Sequence, residues 1–209
     1  MLPTVVLLFQ PVRPAEAILF LTGDPNFGPN SITVDTSSGL GWLNVGESAG
    51  LSYQQVLSDT QPGGVFDGFR FATVQEVLDL YNSAGISGPG YYPLSTPAIQ
   101  SLFSLVGTTG TINERPGILA LSGTSIHVDG YCAPAIYATG VSGNEQYWVN
   151  DGGLQFGGTA YGVTTSYPEL GSWLVKAVPE PGYASLIVLT TATLACFAFW
   201  RRPRVAVCH

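Results

Sequence analysis

Residues 182–200 read GYASLIVLTTATLACFAFW, nineteen positions without a charge, and no other stretch so narrows what the chain can become. As a helix rising about 1.5 Å per residue it would reach ~28 Å, against a hydrocarbon core of roughly 30 Å. Arg201, Arg202 and Arg204 follow at once. Basic residues beside a span stay cytoplasmic, so everything ahead of Gly182 is expected outside. Tyr183 and Trp200 stand near the two ends, where amphipathic rings favour the interface. A buried core helix is the alternative, but the stretch has no polar face and stops at an arginine cluster. Thr190, Thr191 and Thr193 temper its apolarity, which suits brief residence in a membrane.

Just ahead lies Val178-Pro179-Glu180-Pro181. Two prolines around a carboxylate continue neither helix nor strand, because each lacks a donor and fixes its own backbone angle. The expected result is a stiff, extended peptide at the outer membrane face, open to a protease. Motif, single span and arginine tail, in that order, resemble the PEP-CTERM sorting segment over residues 178–204. The resemblance implies export by a Gram-negative bacterium and passage through the inner membrane. It also implies recognition by a membrane-embedded exosortase, often in organisms that make extracellular polysaccharide. A proline-stiffened linker ahead of an ordinary permanent anchor is the plainer reading.

Residues 1–17 read as an atypical or truncated signal region. Val5 to Phe9 is apolar and Ala15-Glu16-Ala17 has the A-x-A form of a cleavage site, but no Lys or Arg precedes the run. The expectation is a true start upstream.

The remaining residues 18–177 make one ordinary domain, large enough to bury about 70% of its extended surface. Its bases are Arg70, Arg115 and Lys176 against twelve acids, a balance of −9. So acidic and lysine-poor a surface argues against a nucleic-acid partner, whose phosphates need cations. Cys132 is the one cysteine of this region, which leaves no internal disulfide and no Cys-based zinc site.

Thr73-Val74-Gln75-Glu76 is a capping box, and Val74, Val77, Leu78 and Tyr81 follow at helical spacing until Gly85. A second helix opens at Thr96 with Pro97 in its first turn, carries Ile99, Leu102, Phe103 and Val106, and ends at Gly107. A third, short one is predicted over 52–57. Strands are predicted at 31–35, 41–44, 117–121, 135–138, 147–150 and 172–177. Residues 87–93, rich in Gly and Pro, read as a flexible loop. With helices gathered early and strands late, the predicted class is α+β.

A second resemblance covers about residues 35–86. Asp35-Thr-x-x-Gly39-Leu40-x-Trp42-Leu43, then Ser52-Tyr53, then Gly68-Phe69-Arg70-Phe71-Ala72-Thr73 with Glu76-Val77, is similar to a domain recurrent among PEP-CTERM proteins. More distantly it is similar to bacterial C-type-lectin-like α+β domains, although Phe69 and Phe71-Ala72 replace the Trp and Leu-Pro of their pattern. Neither resemblance implies a catalytic residue.

Candidate chemistry is sparse. His127 is the single histidine of the region, and Gly123-Thr124-Ser125-Ile126-His127 departs from G-x-S-x-G at its last position. No H-E-x-x-H, Walker A or dinucleotide fingerprint occurs. Asp24 to Asn30 and Asn150-Asp151-Gly152-Gly153 carry oxygen ligands of the kind calcium takes, without EF-hand spacing; Asn-Asp-Gly is first a turn sequence. No cofactor is therefore expected, calcium being the one candidate. Arg70 reads foremost as the structural partner of Asp67 or Glu76, and secondarily as a ligand contact. Tyr91, Tyr92, Tyr131, Tyr137, Tyr147, Trp148 and Tyr161 enrich the Gly-rich regions, and of these Tyr91, Tyr92, Tyr147 and Trp148 are the candidate ligand-binding aromatics, with cross-strand packing the competing role. The predicted function is a non-enzymatic surface or matrix protein associated with extracellular polysaccharide. Its alternatives are a secreted, glycan-directed hydrolase and a permanently anchored glycan-binding module.

The membrane reading has a direct test. The full chain should enter the detergent phase on phase partition, and a chain ending at Ala177 should stay aqueous; equal partition of the two would overturn it.

Overall fold

The computed structural model describes residues 17–127, 130–140, 145–152 and 160–178. The chain divides into two compact units, Met1–Ala177 and Val178–His209. The predicted signal region up to residue 16, and Pro179, Glu180, Pro181, the span and Arg201, Arg202 and Arg204, lie outside the described residues. Among the described residues no helix is long and apolar enough to cross a membrane.

The first unit is α+β. Strands β1 (Leu19–Asp24), β2 (Gly28–Asp35) and β3 (Leu40–Leu43) form a meander, followed by a 3-10 turn at Val45–Ser48. Helix α1 (Tyr53–Asp59), strand β4 (Arg70–Phe71), helix α2 (Val74–Ser83), strand β5 (Gly90–Pro93) and helix α3 (Pro97–Val106) come next. Then come β6 (Gly110–Ile112), β7 (Arg115–Leu121), β8 (Ser125–His127), β9 (Gly130–Cys132) and β10 (Ala135–Thr139). The last four are β11 (Gln146–Asn150), β12 (Ala160–Gly162), β13 (Gly171–Ser172) and β14 (Leu174–Ala177). One sheet has the order β1-β2-β3-β14-β4 and is antiparallel throughout. A second runs β13-β7-β10-β11-β5 with β6 also on β7, and a small third runs β12-β9-β8.

Two predictions need correction. Strands do not gather late: β1 and β4 join the predicted β2 and β3 ahead of α2, because the meander supplies most of the first sheet. Nor is 87–93 simply a loop. Gly90 to Pro93 pairs with β11, since Tyr92 has a buried face to fill opposite Tyr147. Pro93 is tolerated there because β5 is an edge strand.

The helices form where their signals predict. Thr73 Oγ1 accepts from the Glu76 amide at 3.2 Å, and the Glu76 carboxylate accepts from the Thr73 amide at 2.8 Å. Ser52 and Gln55 make the same reciprocal cap on α1. Residues Val77, Leu80 and Tyr81 of α2 and Ile99, Leu102, Phe103 and Val106 of α3 then enter one core. That core also takes Trp42 and Val175 from the first sheet and Ile118, Ile136, Tyr147 and Val149 from the second.

Trp173, between β13 and β14, joins the two sheets. Its amide donates to the Leu121 carbonyl and its carbonyl accepts from the Ala72 amide, each at 2.8 Å. The indole is fully buried, meets Trp42 and Tyr81 edge-on at 6.0 Å, and donates to the Pro134 carbonyl at 3.1 Å. Gly171, two residues earlier, is obligatory: a Cβ there would stand 2.7 Å from the Val45 carbonyl oxygen.

Ionic contacts fasten the periphery. Of the two partners predicted for Arg70, Glu76 is the one observed, at 2.6 and 2.9 Å in a two-pronged pair; Asp67 instead accepts from the Gly63 amide. Lys176 of β14 pairs with Asp24 at the tip of the first hairpin, and its ammonium lies 4.7 Å over the Phe69 ring. The Arg70 pair is the main cause that pulls the Glu76 carboxyl down to about 2; burial opposes it and the Thr73 amide assists. Burial alone would raise Asp24, but Lys176 and the Asn26 and Phe27 amides outweigh it and hold the carboxyl low.

Both carboxyls sit below their unfolded values, so their stabilisation is whole above the unfolded pKa and drains as pH falls, for Glu76 between about 4.5 and 2. With Arg70 half-exposed, Glu76→Gln should lower stability by about 1 kcal/mol at pH 7 and by little near pH 2, in urea titrations. Trp173→Ala should cost about 3–5 kcal/mol by the same measurement.

Candidate functional site

Register decides which aromatic residues reach solvent. Alternation puts successive side chains of a strand on opposite faces. In β11, Tyr147 and Val149 point into the core, which leaves Trp148 on the outer face. Tyr91 of β5 is directly opposite Trp148, and so is Tyr137 of β10. The three therefore form one row across three adjacent strands. The Tyr91 and Trp148 rings stack at 6.5 Å and 19°, and Tyr137 meets Trp148 edge-on at 5.4 Å and 86°. Tyr91 is 67% exposed; Trp148 and Tyr137 are half-buried.

Burial pushes the Tyr137 phenol up, and the nearby Tyr161 and Tyr91 hydroxyls add to the shift. Tyr161 meets Tyr167 edge-on at 5.9 Å, and Tyr167 is half-exposed. Beside them opens a cleft of about 330 Å³ lined by Thr111, Ile112, Asn113, Leu119, Tyr161, Tyr167 and Glu169. Asn113, at a left-handed φ of 51°, sits in the β6–β7 turn and donates to the Ala138 carbonyl at 2.6 Å. That bond ties the cleft wall to the strand carrying Tyr137.

The structure separates the predicted aromatics into two pairs. Tyr91 and Trp148 share the exposed row. Tyr147 is 3% exposed and packs edge-on against Phe103 at 5.4 Å. Tyr92 turns inward beside it, its hydroxyl donating to the Gly88 carbonyl at 2.7 Å. Arg70 stands on the other sheet, paired with Glu76. Sequence reasoning missed Tyr167 and Glu169, and it noted Tyr137 and Tyr161 among the aromatics of the Gly-rich regions without singling them out as site members. Alternation within β10 was a usable signal for Tyr137; for the others only the tertiary approach of the segment before β13 brings them in.

The two acidic loops are occupied by turns. Asp24 accepts from the Asn26 amide and pairs with Lys176, so an ammonium already holds the carboxylate. Asn150 accepts from the Gly152 amide at 2.9 Å, and Gly152 takes a φ of 76° in the turn. Among the described residues no group of three or more His, Cys, Asp or Glu side chains is placed to share a metal ion. Cys132 is buried, and burial raises its thiol, with Asp151 adding to the shift.

An exposed row of flat rings flanked by a hydroxyl, an amide and a carboxylate suits a ligand with apolar C–H faces and a rim of hydroxyls. No protein-family model, curated protein or solved structure matches the chain.

Parity across β11 can be checked by stability alone. Tyr147→Ala should cost about 3 kcal/mol or more, whereas Trp148→Ala should stay within about 1 kcal/mol, in denaturant unfolding of the two variants.

Proposed function

We propose that the protein is an exported, non-enzymatic surface protein that binds extracellular polysaccharide through the Tyr91–Trp148–Tyr137 row. Its C-terminal tail is an exosortase sorting signal: Val178, Pro179, Glu180 and Pro181 are the recognised motif, residues 182–200 hold the chain in the inner membrane, and Arg201, Arg202 and Arg204 stop its transfer. After processing the domain belongs to the cell surface or the extracellular matrix.

The single observation that carries the binding half is the alignment of three rings on one solvent-facing row. Cross-strand ring contacts on an outer face stabilise a sheet by only about 0.2–1 kcal/mol each, and a contiguous row of exposed rings gains further when a ligand covers it. The sorting half rests on the order of motif, span and arginines.

The alternative reading is a secreted, glycan-directed hydrolase. Glycoside hydrolysis takes two carboxyl groups about 5–9.5 Å apart. Among the described residues lining the cleft, Glu169 is the carboxylate present.

Two measurements test this. The intact mass of the surface form should lack residues 201–209, and their retention would exclude sorting cleavage. Retention of the chain on immobilised extracellular polysaccharide should fall at least tenfold in Trp148→Ala (about 1.4 kcal/mol), and polysaccharide turnover without retention would favour the hydrolase.

A further inference from the structure

The face bearing the aromatic row does not end at Tyr137. Gly117 of β7 comes next: a Cβ there would lie 3.3 Å from Tyr137 Cβ and 3.2 Å from Ile112 Cδ1. Tyr137 and the cleft residue Ile112 thus flank a position with no side chain, and the surface passes from row to cleft without a ridge. Beyond it the cleft offers the Tyr161 and Tyr167 rings, the Thr111 hydroxyl, the Asn113 side chain and the Glu169 carboxylate. Its volume lies at the lower end of the roughly 300–1,000 Å³ that ligand pockets occupy.

We infer that the cleft is a second subsite continuous with the aromatic row, and that its ligand is an uncharged pyranose polymer. This rests on the glycan reading of the row. Charge selects the class. Of the residues lining the cleft, the carboxylate is Glu169, an acceptor for sugar hydroxyls, and no Lys or Arg stands among them. The cation nearest in the chain to this wall, Arg115, is engaged by Glu145 at 3.1 Å. The domain as a whole carries three bases against twelve acids. A polyuronate chain would bring a carboxylate to each repeat with no free cation among these residues to meet it. Two like charges ~4 Å apart in water weaken binding about fivefold per pair, and more where water is excluded. A neutral polymer meets no such penalty, and its C–H faces suit the rings.

The test is calorimetric titration of the full chain in detergent micelles with soluble neutral polymers (a glucan, a galactan and a mannan) and with a polyuronate. At low salt at least one neutral polymer should bind about tenfold or more tighter than the polyuronate, and the gap should narrow as salt rises. Glu169→Gln should narrow the gap about fivefold at low salt, by admitting the polyuronate, while Trp148→Ala weakens every polymer alike. Polyuronate binding as tight as the best neutral polymer would overturn the class and leave the aromatic row as a glycan site. An unchanged neutral-to-acidic ratio in Glu169→Gln would remove the cleft from the binding face. Failure of all four polymers to bind would bring down the glycan reading itself, and this inference with it.

Discussion

Seven residues at the end of the domain hold its two larger sheets together. Gly171 and Ser172 pair in parallel with β7, and Leu174 to Ala177 run antiparallel between β3 and β4. Trp173 stands at the crossing, its amide bonded towards one sheet and its carbonyl towards the other. A central strand cannot be omitted without exposing the ladder groups of both neighbours. The first sheet therefore closes only once the last strand has arrived. The main core, with Trp42 from one sheet and Tyr81 from α2 against the Trp173 indole, closes at the same step.

That arrangement bears on how the chain leaves the fold. Leu19, Asp35, Leu40 and Ala177 occupy one row across four strands, so the chain enters and leaves the first sheet at the same end. Three strand spacings separate entry from exit, roughly 14 Å. β14 ends at Ala177, two residues before Pro179. Closing strand and proposed sorting motif are thus nearly contiguous in sequence, and cleavage on the C-terminal side of the motif spares the strand on which the fold depends.

The pattern read over residues 35–86 turns out to be architecture. Asp35 accepts from the Ser37 amide and from Ser83 of α2, fastening the β2–β3 turn to a helix end. Gly39 takes a φ of 67° in that turn. Trp42 lies against Trp173, Ser52 and Thr73 cap helices, and Glu76 serves the cap and Arg70 together. The proposed binding face lies on the other sheet, built by residues outside that pattern. Scaffold and proposed function are therefore carried by different segments, and the outer face can vary without disturbing the caps and turns that build the frame.

The α+β class, the helix caps and starts, six of the strands and the Arg70–Glu76 pair were legible because each follows from interactions between residues close in the chain. A capping box needs four consecutive positions, and a turn needs fewer. The lipid-length stretch, its arginines and the acidic balance are likewise properties of composition and order. What tertiary structure alone decided is the face each aromatic residue occupies. Tyr91 and Tyr92 are the same letter, and Tyr147 and Trp148 are both large aromatics, until strand pairing assigns one of each pair to the core and the other to solvent. Glu169, Tyr161 and Tyr167 join the site through contacts with segments some fifty residues earlier, about the separation of Thr111 from Tyr161. Pairing between distant segments is set by how the whole core packs, which no local pattern records.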